Sequence, residues 1–426
     1  MLNIKFLGRT VAEYFRLLAF GFGLVIYVLY FQSRVNQSDF QVLYSSADAV
    51  IHHISPYPAV GSPSVYSGSS FVYPYAVAYL FVPFTWLSPS QAQYTFVLVS
   101  VASVGLALWL LGVRRLSAYV LFLAASTTIV AWQMGTLNPL FVLGLATAWR
   151  FRSKAFVIGA VVSSVAFAKL FLLPLLVWLI ITRRFRALAY ALAFLAVLAA
   201  VSFLGGPLSF GHYLTLLGQL SRHEGARGFS TSFVVRSFGL SQNLSEIISF
   251  SIACLLMGFI YWRYRATESE ALVLAGMIGI SLVITPILWS SYLLLVTVVL
   301  LLIFSTEVAA ILYALLSWVI VTPDRAGIMA VASLLIVVMF VSIALLGWSP
   351  LRPAFMNEIR GHLERFAPKP KLVAAVLVPI LIFGATAVFD FRIQPAIAVQ
   401  LLLLYLLPLA ILVLTRKRPQ AACQSE

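Results

Sequence analysis

The sequence predicts an all-α polytopic membrane protein with about 12–14 transmembrane segments, some of them short and broken. Three observations carry this. The chain is 62% hydrophobic and 10% charged, with a mean hydropathy of +1.02, which excludes an ordinary soluble domain. Its apolar runs are long and lack the alternation of half-buried strands. Its positive charge collects in short linkers between those runs: 21 of the 28 basic residues lie in "IKFLGRTVAEYFR", "GVRR", "WRFRSK", "TRRFR", "YWRYR", the stretch 352–371 and "TRKR". Basic residues favour the cytoplasmic side of short loops, so this distribution sets topology and argues against nucleic acid as the partner of a +15 chain. Cys254 and Cys423 offer neither a disulfide framework nor a metal cage.

With the N-terminus inside, the elements follow in order. The run 17–31 is the first span; no small-x-small site follows it, so it reads as an uncleaved anchor. A long outer loop extends to about residue 74. The proline-interrupted "YPYAVAYLFVPFTWLSP" is either a short crossing or a helix at the interface, and 91–111 is a full span reaching "GVRR". The stretches 116–149, broken by "WQMGTLNP", and 155–181, with Lys169 near its middle, each lie between basic patches. If both ends of each are inside, each is a hairpin of short helices; a single tilted helix is the competing reading for 155–181. A span at 187–205 leads to a second outer loop, 206–245. Residue 246 starts the return to "YWRYR". Further crossings turn near 289, 306 and "TPDR". A run at 328–347 precedes "GWSPLRPAFMNEIRGHLERFAPKPK", which has the look of an interfacial helix. Crossings at 372–388 and 395–415 complete a single membrane domain, 1–415, and 416–426 forms a short cytoplasmic tail.

A few polar residues are not explained by loops. Asp39 lies just past the first span, in a chain with only 13 acids. An outward carboxylate can take the proton of an acceptor hydroxyl; the plainer role is a solvated acid or a cap on the helix that "DFQV" begins. Asp48 reads as a helix-face acid. Lys169 sits in "VAFAKLFLLPLL", where a charge is costly and points to function, a phosphate at the membrane surface being the natural ligand; a snorkelling lysine is the alternative. The stretch "YLTLLGQLSRHEGARGFSTSFVVRSFGL" carries Arg222, His223, Glu224, Arg227 and Arg236, a basic set that suits an anionic ligand. Gln133 and Asn138 offer amides to a hydroxyl-rich molecule or stitch broken helices together. Tyr66, Tyr73, Tyr75 and Trp86 fit an interfacial belt or a stacking surface. No nucleotide-binding fingerprint and no metal-ligand spacing is present, so no cofactor and no metal site are expected.

In order and spacing, these islands resemble glycosyltransferase family 87, the polyprenol-phosphate-mannose-dependent mannosyltransferases. The motifs are "SDFQVLYSSADAV", "VYSGSSFVYPYAVAYLFVPFTWL", "WQMGTLNPLFVLGLATAWRFRSKAFVIGAVVSSVAFAKLFLLPLLVWLIITRRFRAL", "GFSTSFVVRSFGL" and "ITPILWSSYLLL", covering about 20–310. The resemblance implies a C-type glycosyltransferase fold in the cytoplasmic membrane. Its site would face outward and move a hexose, mannose by analogy, from a polyprenyl-phosphate donor to a lipid or glycan hydroxyl with inversion. Asp39 matches the family's catalytic position. Lys169 and Arg236 match basic positions near the donor phosphate. Tyr73, Gln133, Asn138 and Trp289 match motif positions in the substrate site, with Arg222 and His223 as further substrate-binding candidates. Two departures stand out. Many relatives carry histidine just after the tryptophan where this chain has Ser290 and Ser291, a gap His223 is a candidate to fill, and the common "YPP" is "YPY" here. A transporter or flippase for a lipid-linked anion is the alternative function, and an assembly scaffold a third.

Overall fold

A computed structural model describes residues 37–225 and 230–320. Among these residues every regular element is helical. The expected first span, the crossings at 328–347, 372–388 and 395–415, the interfacial helix between them, Arg227 and the tail lie outside the described residues.

Helix α1 (Ser38–Ile51) opens the described chain and carries Asp39 in its first turn. Asp39 is therefore not the cap; that position belongs to Gln37. Helix α2 (Tyr75–Tyr79) and a 3-10 turn at Val82–Trp86 follow, interrupted by Pro74 and Pro83. Together they extend about 18 Å at helical rise, short of the bilayer's hydrocarbon core. Helix α3 (Pro89–Leu110) has 22 residues. It starts where Ser88 and Gln91 form a capping box, with Pro89 in the first turn, where its missing N–H costs nothing.

The stretch after "GVRR" is broken twice, giving α4 (Leu116–Leu123), α5 (Ser126–Met134) and α6 (Asn138–Arg150). The break at "GTL" between α5 and α6 bends the chain by 120°. Gly135 makes that break with φ +69, a left-handed conformation open to glycine at little cost. The earlier interruption at Ala124 and Ala125 has no signal in the sequence, because neither residue breaks helices.

Helix α7 (Ala155–Ala168) and helix α8 (Pro174–Ile181) are separated by Lys169, whose backbone is extended, and a short 3-10 turn, Leu170–Leu172. They form a hairpin rather than one tilted helix. Arg152, just before α7, and Arg184, just after α8, are in contact: the Arg184 guanidinium donates to the Arg152 carbonyl oxygen and to both Glu270 carboxylate oxygens, at 2.7 and 2.8 Å. A continuous helix over 155–181 would hold those ends about 40 Å apart. Helix α9 (Phe185–Phe203) then runs parallel to α7. Gly159 meets Ala187 and Ala191 near the start of both helices, and Phe167 meets Phe203 near their ends.

The stretch 206–245, expected as a second outer loop, is more ordered than its polarity suggests. It holds α10 (Phe210–Glu224) and α11 (Thr231–Ser237). Serine hydroxyls cap both: Ser209 accepts from the His212 N–H and Ser230 from the Phe233 N–H. Helix α12 (Gln242–Thr267) has 26 residues, and α13 (Glu270–Ile284) packs back against it. An extended stretch leads into the 3-10 turn Ser290–Leu295, then α14 (Val296–Ile303) and α15 (Thr306–Ile320).

Three helices among the described residues are long and apolar enough to cross a membrane, α3, α9 and α12, and the bent α5–α6 pair adds a fourth if counted as one span. Shorter apolar helices fill the space between them, so the chain is a multi-pass all-α membrane protein with broken helices. Among the described residues, the basic linkers "WRFRSK", "TRRFR" and "YWRYR" gather at one end. Arg152 lies 3.7 Å from Glu270 beside the Arg184 pair, and the charges of Arg183, Arg184, Glu268 and Glu270 all act on Tyr264 of "YWRYR". Helices α7, α9 and α13 all lead away from that end, and Lys169, Phe203 and Trp289 lie at or beyond their far ends.

The α7–α9 contact is close enough to test. A Cβ on Gly159 would lie 2.5 Å from Tyr190 Cβ and 2.8 Å from the Ala187 carbonyl oxygen. Gly159→Ala is expected to destabilise the purified protein by about 1–3 kcal/mol. Gly258→Ala, where no atom lies within 4 Å, is expected to leave the thermal melting temperature in detergent unchanged.

Candidate active site

The far end of the bundle is organised around Lys169. As the residue between α7 and the turn at Leu170–Leu172, it leaves the helix with φ −137 and ψ 99. That extended step frees its side chain from the α7 surface. The ammonium donates to the Tyr292 hydroxyl oxygen at 2.8 Å. It also lies 4.6 Å from the centre of the Tyr73 ring and 4.8 Å from that of Tyr292. A cation between two aromatic faces exchanges part of its hydration for quadrupole attraction. Among the described residues Lys169 forms no ion pair.

Each tyrosine is held by its own neighbours. Tyr73 is buried, and its backbone is fixed from both sides: the Tyr57 hydroxyl donates to the Tyr73 carbonyl oxygen at 2.9 Å, and the Tyr213 hydroxyl to the Val72 carbonyl oxygen at 3.1 Å. Ser202 at the end of α9 accepts the Ala76 N–H. Tyr292 sits in the 3-10 turn, where its N–H donates to the Trp289 carbonyl oxygen at 3.0 Å. Its ring stacks on Phe171, two residues after Lys169, with centroids 5.3 Å apart and planes 15° apart. The segment 169–171 thus grips Tyr292 at two points.

The break between α5 and α6 positions Asp39. The last carbonyls of a helix have no intrahelical partner, and Gln37 supplies one. Its backbone N–H donates to the Gln133 carbonyl oxygen, and its side-chain amide to that of Trp132, each at 2.7 Å. These bonds hold Gln37 in the left-handed region, φ 49, which starts α1 at a fixed angle. Asp39 follows in the first turn, where the helix dipole favours a carboxylate. Phe40 anchors the same turn, packed at 5.0 Å on Phe96 and against Phe81 and Phe84.

Asp39 is half-buried. Burial pushes its carboxyl above the usual carboxylate range, while the Lys169 charge and a Ser38 hydrogen bond draw it back. Burial likewise raises the Tyr73 phenol; there Lys169 lowers and Asp39 raises, so both charges reach the same hydroxyl. Tyr213 is raised by burial and lowered by Lys169. Asp39, Tyr73, Lys169, Tyr213 and Tyr292 therefore form one electrostatic unit, drawn from five separate stretches of chain.

The other expected residues take different places. Gln133 and Asn138 are buried on either side of the break, where the Asn138 side-chain amide donates to Thr136 Oγ1 at 3.1 Å. Trp289 packs against the core and supports Tyr292 through its carbonyl. On α10, Arg222 is exposed and the His223 ring packs on Tyr66 at 4.7 Å, its Nε2 facing Glu224 at 3.7 Å. Arg236, on α11, is half-buried. Among the described residues none of these three hydrogen-bonds or ion-pairs with the Lys169 cluster. Tyr292, rather than His223, lies beside Lys169 next to the Ser290–Ser291 departure. Asp48 pairs with His52 at 3.6 Å on an exposed helix face, as a plain surface acid would.

Residues 71–291, just over half of the 426-residue chain, match the family model described as Glycosyltransferase family 87. The matched span includes Tyr73, Gln133, Asn138, Lys169, Arg222, His223, Arg236 and Trp289. Asp39 precedes it, and Tyr292 lies one position beyond its end. No curated protein and no solved structure matches the chain.

Two stability predictions follow from this geometry. A Cβ on Gly135 would lie 2.6 Å from Phe40 Cβ and 3.0 Å from Gln37 Oε1, at a φ that strains any other residue. Gly135→Ala is expected to cost about 1–3 kcal/mol in chemical or thermal unfolding. Asp39→Asn has the opposite sign. A carboxyl whose folded pKa is raised favours folding at low pH, and that contribution is lost as pH rises through the folded value. At pH 7 the charged form is the costly one, so Asp39→Asn is expected to melt at the same temperature as the parent or higher.

Proposed function

Because the chain belongs to glycosyltransferase family 87, we propose that it transfers a hexose, mannose by family analogy, from a polyprenyl-phosphate sugar to a lipid or glycan hydroxyl. The site would lie toward the outer face of the cytoplasmic membrane, in a fold of the C-type glycosyltransferase class. The carrying observation is the pairing of a half-buried carboxylate, Asp39, with a lysine that has no ion-pair partner among the described residues, at breaks in apolar helices. Supporting the outward placement, the three basic linkers that meet around Glu270 and Tyr264 lie at the opposite end, as cytoplasmic loops do. Leu173, close after Lys169, is 40% exposed, which supports access to this break from the surface of the bundle.

In this reaction the donor's isoprenoid chain lies among the helices and its phosphate meets the Lys169 ammonium. Asp39 accepts the proton of the acceptor hydroxyl as its oxygen bonds to the anomeric carbon. The bond from that carbon to the phosphate oxygen breaks on the opposite side, and its electron pair stays with the phosphate. One displacement inverts the anomeric centre. The departing phosphate needs no proton, so a single carboxylate suffices, unlike the paired carboxylates of glycoside hydrolases. Lys169 stabilises the charge that accumulates on the phosphate. Arg236, Arg222 and His223 belong to the same reading as groups on the approach to the site, for the acceptor or the rest of the donor.

The reaction is tested with detergent-purified protein, polyprenyl-phosphate mannose and a membrane-lipid acceptor fraction, with mass spectrometry of the products. A new glycosidic bond is expected, and its absence with every polyprenyl-phosphate hexose tried would overturn the proposal. A flippase, by contrast, makes no new bond and requires two compartments. Asp39→Asn is expected to lower turnover by about 10²–10⁴-fold, the range of a lost general base. The base must be unprotonated, and burial raises its pKa. Activity is therefore expected to fall on acidification at a pH above the ordinary carboxylate value of 3.8, and a profile flat down to that pH would remove Asp39 from the role.

A further inference from the structure

We propose that the Tyr292 hydroxyl is a second hydrogen-bond donor to the leaving phosphate, acting beside Lys169. The inference rests on the donor assignment above. It starts from the direction of one hydrogen bond. An ammonium has three donors and no acceptor, so in the 2.8 Å contact Lys169 donates and the Tyr292 oxygen accepts. The hydroxyl's own hydrogen must then point elsewhere. Among the described residues it has no acceptor.

That unspent donor is neither mobile nor solvated. Tyr292 is 8% exposed. Its ring is fixed by the Phe171 stack and its backbone by the Trp289 carbonyl. A buried donor without a partner is costly, and the cost is relieved when a ligand brings an acceptor. Being hydrogen-bonded by a cation also polarises the phenol and makes it a stronger donor. Lys169 has further N–H groups and no ion-pair partner among the described residues. The two side chains together offer several adjacent donors to one anion, which matches a phosphate with its several oxygens better than a neutral hydroxyl.

During transfer, the bond between the anomeric carbon and the phosphate oxygen breaks and its electrons remain on that oxygen. The polyprenyl phosphate gains one negative charge. Tyr292 keeps its proton; its hydrogen bond strengthens as the charge grows. Lys169 carries the opposite charge, and Tyr292 fixes where the ammonium points. The same hydroxyl therefore positions the lysine and touches the leaving group.

Binding of farnesyl phosphate and of farnesol to the detergent-purified full chain tests this without knowledge of the sugar or the acceptor. The parent protein is expected to bind the phosphate more tightly than the alcohol. Tyr292→Phe retains the ring, the Phe171 stack and the cation–π contact. It is expected to weaken farnesyl phosphate about tenfold or more, the value of a hydrogen bond to a charged group. Farnesol binding and the melting temperature are expected to stay as in the parent. Unchanged phosphate affinity in Tyr292→Phe, with the parent still preferring phosphate, overturns the role of Tyr292 and leaves the donor assignment standing. Equal weakening toward both ligands marks a structural residue and overturns it as well. A parent protein with no preference for the phosphate overturns the donor assignment itself, and the Tyr292 role falls with it.

Discussion

An ammonium placed among apolar helices has to be satisfied, and among the described residues the architecture around Lys169 satisfies it without a paired acid. An adjacent carboxylate would neutralise the cation and close the site to other anions. Two tyrosine faces and one phenolic oxygen stabilise the charge, and among the described residues no acid pairs with its remaining donors. Asp39 acts on Lys169 only through space. The separation leaves both charges available: a direct salt bridge would neutralise the two together.

That arrangement explains why the helices break where they do. Lys169 reaches the tyrosines because α7 stops at Ala168 and the chain takes an extended step. Asp39 is aimed because α5 stops at Met134 and its open carbonyls are capped by Gln37. Non-helical backbone at membrane depth persists only where protein or water satisfies it, and at both breaks protein does so in part. The hydroxyls of Tyr57 and Tyr213 do the same for the backbone at Val72 and Tyr73. Polar side chains in this chain thus serve the backbones of distant segments.

Much of this was legible in the residues. A lysine inside "VAFAKLFLLPLL" is an energetic anomaly on any reading, and "WQMGTLNP" combines a glycine and a proline that end one helix and start the next. The basic linkers left a hairpin and a single tilted helix both open for 155–181, and the contact of Arg152 with Arg184 decides for the hairpin. Tyr292 was not legible as a site residue: one tyrosine among 18 carries no mark until a 3-10 turn and Phe171 bring it to Lys169. Gln37 was hidden for a similar reason, since it caps a helix almost a hundred positions away. The α10 helix was hidden by its low overall hydrophobicity, although Phe210, Tyr213, Leu214, Leu217 and Leu220 recur at helical spacing. Asp39 drew attention by rarity, while its neighbours in space came from four other parts of the chain.

The knot formed by Arg152, Arg184 and Glu270 has a consequence for biogenesis. Neither α7, with 14 residues, nor α8, with 8, is long enough to span a bilayer. The hairpin therefore has no independent claim on the lipid when it leaves the ribosome. Glu270 is made 86 positions after Arg184, so during synthesis the two arginines wait together without their shared counter-ion. The ion pairs that lock the hairpin's base can therefore form only once α13 has been made, and the side chains around Lys169 at its tip depend on that late event.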